Sequence, residues 1–357
     1  MSARTLARWA EPALAPLVNL AAALVLSAIV VRVSGADPFR AMAVMLHGAV
    51  GDGASLGYTL YYATNFIFTG LAVALPFHAG LFNIGGEGQA YIGGLLAALV
   101  FLYVGPALGA GAIPLAILAA AIGGGAWALV PAWLRVKRGS HVVITTIMFN
   151  FIAAALMTFL LVNVLIAPGQ SAPETVPFPT ATWMPKLGGL LGPSPLNLAF
   201  PLALALAAAI WLLLWRTRWG FELRAAGANP DAARAAGISV ARAIVLAMVL
   251  GGAVAGLVPV NELMGAQHRL LLDFPVGYGF MGIAVALMGR NHPFGICLAA
   301  LFFGALYQGG TELSFDMPNV TRDIVVVIEG LAILFCGALE NATRARLGRW
   351  FGGPQPQ

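Results

Sequence analysis

Polar side chains that could bind a solute are sparse in this chain, and their densest group lies at residues 80–94. Asn83, Glu87 and Gln89 stand there among six glycines. Glycines permit a break in a helix, and the backbone groups freed by the break could face a polar path together with the amides and the carboxylate. The alternative is that the glycines serve close helix crossing and that Glu87 lies at a membrane interface. The first interpretation predicts a substrate path.

Further candidates lie in other apolar stretches. Tyr61 and Asn65 share one stretch, and Thr146 and Asn150 share another. Amides can hydrogen-bond a sugar or a base and tyrosine rings can stack on either, but hydrogen bonding between helices explains each residue alone equally well. Glu329 falls in an apolar run, where a carboxyl group must face the protein interior or be protonated. The predicted substrate path comprises Asn83, Glu87, Gln89, Asn150, Asn65, Tyr61, Thr146 and Glu329.

The most polar stretch of the chain, residues 216–242, has the sequence signals of two short helices. It holds five arginines and two acidic residues. Residues 221–226 favour a helix that Gly227 ends, and Asn229 can cap a second helix with Pro230 at its first position. Asp231 then lies at the positive end of that helix, and Gly237 can end it in a left-handed conformation. Such a compact helix suits a docking surface; the alternative is an ordinary basic loop.

The composition indicates a polytopic membrane protein. Of the 357 residues 60% are apolar and 9% are charged, whereas soluble domains carry about 25% charged residues. At about 20 apolar residues per helix, the chain divides into ten segments: 14–33, 58–79, 82–104, 111–134, 142–166, 196–215, 242–264, 274–290, 294–311 and 321–339. With the N-terminus inside, 14 of the Lys and Arg residues fall inside and 5 outside, in accordance with the positive-inside rule.

We therefore predict an all-α fold of about ten transmembrane helices, forming one domain over residues 1–357 with both termini cytoplasmic. Residues 216–242 are then a cytoplasmic loop, and the proline-rich residues 167–195 are an ordered external loop. Residues 37–52 start with a helix signal and look amphipathic, as a helix lying in the membrane interface does. The segment at residues 1–10 precedes a retained first span rather than a cleaved signal peptide.

One short internal repeat is present, because residues 68–75 and 280–287 are identical at six of eight positions. Transporters are often built from repeats, although chance similarity is a comparable explanation in a chain so rich in Ala, Gly and Leu.

Several kinds of chemistry are absent from the sequence. The five histidines are isolated and show no metal-ligand spacing, and neither a nucleophile motif nor a phosphate-binding loop occurs. We expect no cofactor, no catalytic residue and no nucleic-acid partner, and we expect Cys297 and Cys336 to be packing residues. Transport driven by ATP would require a separate ATPase chain.

Three segments together resemble the permeases of bacterial ABC importers in the ribose, branched-chain amino acid and nucleoside group. The segments are residues 80–89, 144–153 and 223–238, and the first two look most like the nucleoside branch. The resemblance implies a permease in the bacterial inner membrane that pairs with a second permease, identical or related, and with a cytoplasmic ATPase and an external binding protein or lipoprotein. It also implies that residues 227–238 dock on the ATPase. The predicted coupling residues are Gly227, Asn229, Pro230, Asp231, Arg234, Gly237 and Ile238.

The position of Glu329 departs from the resemblance, which leads us to expect an uncharged polar residue such as glutamine there. The sequence thus favours a nucleoside permease, and a simple-sugar permease of the ribose type is the alternative. An ion-coupled secondary transporter would have to use Glu87 and Glu329, the fair candidates for buried ionisable groups on the path.

Overall fold

The computed structural model describes residues 18–19, 21–275 and 277–335 of the chain. The predictions for the first ten residues, the C-terminal segment and Cys336 lie outside this range. The helices are α1 (Ala21–Val33), α2 (Pro38–Val50), α3 (Gly53–His78), α4 (Gly86–Tyr103), α5 (Gly105–Leu108), α6 (Ala112–Arg138), α7 (Val142–Asn163), α8 (Gly188–Leu191), α9 (Ala199–Arg216), α10 (Arg218–Ala228), α11 (Pro230–Ala235), α12 (Val240–Ala255), α13 (Val258–Glu262), α14 (Tyr278–Met288), α15 (Pro293–Asp316) and α16 (Arg322–Ile333).

The prediction of an all-α, multi-pass membrane fold is confirmed. Within the described residues six helical stretches are long and apolar enough to cross a membrane, or seven if α1 and α2, which meet at 115°, count as one bent span. This number is below the ten predicted. The predicted span at 274–290 is the 11-residue α14, which is shorter than the 17 residues that crossing requires.

The predicted span at 242–264 lies in one of these stretches, Val240–Gln267, which is interrupted at residues 256–257. Helix α12 ends at Ala255, α13 resumes at Val258 with Pro259 in its first turn, and a π-helical turn follows at Leu263–Gln267. Pro259 cannot donate the helical hydrogen bond that would reach the Ala255 carbonyl. At the far end of the stretch the amide of His268 donates to the carbonyl of Leu263, five residues earlier, at 2.8 Å.

The chain divides into two compact units, one of which is formed by residues 56–304. In this unit glycines allow α4, α6 and α12 to cross at backbone contact. A methyl group on Gly124 would overlap the carbonyl of Gly252, and one on Gly252 would overlap that of Gly124. Small residues are the usual means of close helix approach in lipid.

The two copies of the short repeat pack against each other in this same unit. A methyl group added to Gly70 in α3 would lie 2.8 Å from the side chain of Ile296 and 3.0 Å from that of Val285, and one added to Gly282 in α14 would lie 2.5 Å from Thr69. Gly70 and Gly282 occupy the same position in the repeat. The repeated sequence therefore supplies both sides of one helix contact.

The other unit comprises the described residues up to Ser55 and from Ala305 onward. Its core contains Val31, Ala41, Leu313, Val325 and Ile328. The predicted helix at residues 37–52 is α2, capped by the Asp37 side chain, which accepts a hydrogen bond from the Phe39 amide at 2.9 Å.

Candidate functional site

The polar segment at residues 80–94 contains the loop between two helices and the first half of the second helix, which is continuous. Helix α3 ends at His78 and α4 starts at Gly86, and Gly80 takes the left-handed conformation that glycine favours, with φ of 72°. The Asn83 side chain accepts a hydrogen bond from the amide of Gly85 at 2.9 Å and exchanges two more, at 3.2 and 3.3 Å, with Gln89. Asn83 thus shapes the non-helical loop at residues 79–85.

Helix α7 fixes the same loop from the side. Thr146 accepts a hydrogen bond from the Ile84 amide at 3.3 Å, and Asn150 donates to the Ile84 carbonyl at 2.8 Å and accepts from the Gly88 amide at 2.9 Å. Backbone groups at a helix end have no partner within the helix and need one elsewhere. Here the side chains of Thr146 and Asn150 supply these partners. We call Asn83, Gln89, Thr146 and Asn150 the loop clamp; all four are buried.

Glu87 joins the first turn of α4 to the start of α14. Its two carboxylate oxygens accept hydrogen bonds from the amides of Gly277 and Gly279 at 2.9 and 2.8 Å. Gly279 has no room for a side chain, because a methyl group there would overlap the Glu87 amide and lie 2.7 Å from the carbonyl carbon of Gly86. Glu87 therefore positions the two residues on either side of Tyr278.

A second polar group, which we call the Glu262 network, lies between α3 and the broken helix. Glu262 is 3% exposed and accepts a hydrogen bond from Asn65 at 2.6 Å. The side chains of Tyr61, Gln267 and Tyr278 also hydrogen-bond to it. Asn261 donates to the side chain of Asn65 and to the carbonyl of Tyr61, both at 2.9 Å. The network comprises Tyr61, Asn65, Asn261, Glu262, Gln267 and Tyr278.

Tyr61 and Asn65 were predicted to lie on the substrate path, whereas Asn261 and Glu262 were not predicted. The available signal was an Asn–Glu pair two residues after Pro259, inside an apolar run. A carboxylate there is as costly to insert as Glu329. A proline just before it indicates a helix break that could surround it with polar partners.

An open cavity of about 550 Å³ is lined in part by Ala266, which precedes Gln267 of this network. We call it the Ser194 cavity, and it is lined by Tyr58, Lys186, Gly188, Gly192, Pro193, Ser194, Pro195 and Ala266. Asn197 connects the cavity to the network, because its amide donates to the Pro195 carbonyl at 3.0 Å and to the Asn261 side chain at 2.9 Å. Cavities that bind small molecules measure about 300–1,000 Å³.

The proline-rich segment at residues 167–195 is ordered, as predicted. The amide of Thr175 donates to the Leu270 carbonyl at 3.0 Å and that of Met184 to the Met264 carbonyl at 2.9 Å. The ring of Trp183 stacks on His268 at 3.7 Å. Burial, and secondly the charge of Lys186, lower the pKa of His268, so the stacked imidazole is neutral at pH 7. The segment thus rests on the end of the broken helix.

Glu329 does not belong to either polar group. It lines a cavity of about 90 Å³ with Tyr307, Gly310, Thr311, Ser314, Arg322, Val325 and Val326. Arg322 donates to the hydroxyl of Tyr307 at 3.1 Å. No ion pair between Arg322 and Glu329 within 4 Å occurs in the described part of the chain.

The two helices predicted at residues 216–242 are α10 and α11. Asn229 caps α11 by accepting hydrogen bonds from the amides of Asp231 and Ala232, both at 3.0 Å, and Pro230 is its first residue. Asp231 and Arg234 form an ion pair. Gly237 has φ of 79°, and the amide of Ile238 donates to the Ala233 carbonyl at 2.9 Å, which completes the C-terminal cap.

The prediction that Gly227 ends the first helix is wrong. Helix α10 continues through Gly227 to Ala228. Gly227 instead allows backbone contact with the loop at 79–85, since a methyl group on it would overlap the His78 carbonyl oxygen and lie 2.8 Å from both the Ala79 carbonyl carbon and the Gly80 nitrogen. Helix α10 therefore packs directly on the loop that the clamp holds.

Several apolar helices with buried amides and carboxylates between them define a multi-pass membrane transport protein. The chain belongs to the family described as branched-chain amino acid transport system / permease component, whose model matches residues 55–335. This membership confirms the resemblance to ABC-importer permeases.

Three relatives cover nearly the whole chain. The glucose ABC transporter permease protein TsgB13 of Haloferax volcanii is 36% identical over 93% of this chain and 89% of its own length. The guanosine ABC transporter permease protein NupP of Bacillus subtilis is 34% identical over 94% and 96%. The nucleoside ABC transporter permease protein NupB of Lactococcus lactis is 32% identical over 90% of both chains. No solved structure matches the chain.

Proposed function

We propose that this chain is the non-catalytic permease subunit of an ATP-driven importer in the bacterial inner membrane, and that it moves a nucleoside. The observation that carries the proposal is the direct contact of helix α10, at Gly227, with the clamped loop at residues 79–85. A projecting helix pair that rests on a helix break inside the bundle can transmit an external push to that break. The relatives are ABC permeases, which supports the same conclusion.

The partners follow from this arrangement. Helix α11 is exposed except for Ala233, and it presents Asp231 and Arg234 on a short, capped scaffold that a cytoplasmic ATPase would receive. The ordered segment at residues 167–195 would receive an external binding protein, and a second permease, identical or related, would complete the pore. On this proposal the substrate path contains Asn65, Tyr61 and the Glu262 network.

The relatives alone do not choose the substrate, because the glucose and guanosine permeases have nearly equal identity to this chain. The Glu262 network favours the nucleoside. Its carboxylate, amides and tyrosine hydroxyls lie beside Phe66, whose ring contacts that of Tyr278 at a centroid distance of 5.6 Å. Aromatic faces suit a nucleobase, and the polar groups suit its N–H edge or a ribose.

A double variant, Asn229→Ala with Pro230→Ala, should uncouple transport from ATP hydrolysis. It removes the cap of α11, which contributes about 1 kcal/mol, and the helix is too short to persist without it. We expect guanosine uptake by the reconstituted importer to fall at least about tenfold while the complex still assembles. A tenfold fall corresponds to about 1.4 kcal/mol, slightly more than the contribution of the cap.

The matched control is Asp37→Ala, which removes the N-cap of α2 at a similar cost but lies far from α11 in the sequence. Its uptake should stay near that of the unaltered chain. Normal uptake by the Asn229 and Pro230 variant would contradict the coupling role. Uptake of glucose and not guanosine by the unaltered importer would instead select the sugar permease.

A further inference from the structure

We infer that the Glu262 carboxylate, reached from the Ser194 cavity through Asn197 and Asn261, is the group that recognises the substrate, and that it binds two adjacent neutral hydrogen-bond donors of a nucleoside. This inference rests on the proposed function. Neither a sequence motif nor the similarity to relatives identifies Glu262 as a substrate-binding residue.

No cation balances the charge of Glu262 among the described residues. Its hydrogen-bond partners are Tyr61, Asn65, Gln267 and Tyr278, which are all neutral donors, and it forms no ion pair within the described ranges. A buried carboxylate is normally paired with a cation or a metal. A site that instead surrounds a carboxylate with four neutral donors is suited to exchange one neutral donor for another.

One face of helix α3 connects the Ser194 cavity with the Glu262 network. Tyr58, Tyr61 and Asn65 lie three and four residues apart on α3, so they share one face of the helix. Tyr58 lines the Ser194 cavity, and Tyr61 and Asn65 contact Asn261 and Glu262. One face of α3 therefore leads from the cavity to the carboxylate.

One polar side chain of the cavity wall has a hydroxyl group that the described part of the chain leaves unsatisfied. Ser194, which is 9% exposed and lines the cavity, has a hydroxyl oxygen with no hydrogen-bond partner among the described residues. Unsatisfied buried polar groups are rare in folded proteins. The oxygen is buried against Gly57, so a polar solute in the cavity would become its partner only after the Ser194 side chain turned toward the cavity.

The side chain of Asn197 lies between the cavity wall and the network. Its amide donates to Pro195 on the cavity wall and to Asn261 in the network. Gly265 leaves space for it, because a methyl group there would overlap the Asn197 side chain. Asn197 therefore bridges the cavity wall and the network, and its oxygen also accepts a hydrogen bond from the Ala199 amide at 2.9 Å.

The chemistry of the network selects the substrate class. A carboxylate accepts two parallel hydrogen bonds from neighbouring donors, which a nucleoside offers either at the N–H and amino groups of guanine or at the two hydroxyls of ribose. Aromatic rings surround the network: Tyr61 contacts Tyr62 at a centroid distance of 5.2 Å and Phe66 contacts Tyr278 at 5.6 Å. A base that entered the network would meet these rings, of which Tyr61, Phe66 and Tyr278 are buried. A planar base packs against aromatic rings better than a simple sugar does.

Glu262→Gln tests the inference, since it keeps the shape of the side chain and removes one acceptor and the charge. The assay uses proteoliposomes that contain the complete importer with its binding protein, and it measures kcat/KM for guanosine, inosine and 2′-deoxyguanosine. We expect a loss of roughly 10- to 100-fold for guanosine, the range for a hydrogen bond to a charged group. ATPase stimulation by the loaded binding protein should persist.

The analogues distinguish the two donor pairs. If Glu262 binds the guanine edge, inosine, which lacks the 2-amino group, should lose less from the substitution than guanosine does. If it binds the ribose, 2′-deoxyguanosine should lose less. An equal loss for all three would show a structural role and overturn the inference.

Two controls separate the possible failures. Glu312→Gln alters a carboxylate that hydrogen-bonds Gln308 in the other unit, and it should transport normally. Tyr278→Phe removes one donor to Glu262. Even if Glu262→Gln fails to assemble, this variant should change the ratio of guanosine uptake to inosine uptake if Glu262 binds the base, or to 2′-deoxyguanosine uptake if it binds the ribose. Unchanged ratios in both variants would overturn the site, whereas absence of nucleoside uptake by the unaltered importer would overturn the proposed function instead.

Discussion

Replacing Gly227 with alanine should abolish substrate uptake, although it adds a single methyl group to a half-buried helical position. The methyl group would overlap the His78 carbonyl oxygen and lie 2.8 Å from the Ala79 carbonyl carbon and from the Gly80 nitrogen. All three atoms belong to the backbone, so no side chain can move aside. Overpacking of this kind costs about 1–3 kcal/mol or more, and here the strain falls on the contact between α10 and the loop at 79–85.

The measurement is guanosine uptake by the reconstituted importer, together with its ATPase rate and the amount of assembled complex. Gly330→Ala is the matched control, because Gly330 also lies within a helix and has no atom within 4 Å of an added methyl group. We expect uptake to fall by about 100-fold or more for Gly227→Ala, the effect of roughly 3 kcal/mol, and to be unchanged for Gly330→Ala. Equal uptake in the two variants would show that the contact transmits nothing.

The same residue shows what local sequence signals predict and what they do not. The cap of α11 by Asn229 and Pro230 and its end at Gly237 depend on neighbours in sequence, and each appears in the structure as predicted. Gly227 looked like a third helix end. Its actual contact is with Gly80, 147 positions away in the chain, and a pattern of neighbouring residues carries no information about such a partner.

The polar residues illustrate the same limit. Asn83, Gln89, Thr146 and Asn150 were predicted as one kind of site and do lie together. Asn83, Thr146 and Asn150 hydrogen-bond the backbone at residues 84–88, and Gln89 hydrogen-bonds the Asn83 side chain. Whether they also meet the substrate stays a prediction. The pairing of Asn65 with Glu262 could not be predicted, because the period of an apolar span does not say which polar residue faces which neighbour.

The number of spans differs from the prediction for a related reason. Hydropathy reads an apolar run as a crossing helix, but a run buried in protein need not cross. Helix α14 is as apolar as a span, yet it lies between Gly277 and Gly289 and has 11 residues. Its contact with α3 through Gly70 and Gly282 places it inside the bundle, where short helices are tolerated.

Glu87→Gln should have the second large effect, because this carboxylate joins the clamped loop to the Glu262 network. It accepts hydrogen bonds from the amides of Gly277 and Gly279, the neighbours of Tyr278, which itself hydrogen-bonds Glu262. Glutamine keeps one acceptor oxygen and turns an NH₂ group toward the other amide. One buried amide is then unsatisfied and a charge-assisted hydrogen bond is lost, at a combined cost of about 2–4 kcal/mol.

The expected result is a lower midpoint of thermal unfolding together with a loss of uptake of at least about tenfold. A tenfold loss corresponds to about 1.4 kcal/mol, which is less than the full cost of the substitution. Glu222→Gln is the control, because Glu222 forms an exposed ion pair with Arg218 on α10, and such a pair contributes little to stability.

Thermal stability and uptake distinguish two roles of Glu87. A variant that is destabilised but couples normally would show that Glu87 only holds the fold together. A variant of normal stability with low uptake, and with the guanosine-to-inosine ratio altered as in Tyr278→Phe, would show that the break at 79–85 reaches the substrate site through Gly277 and Gly279.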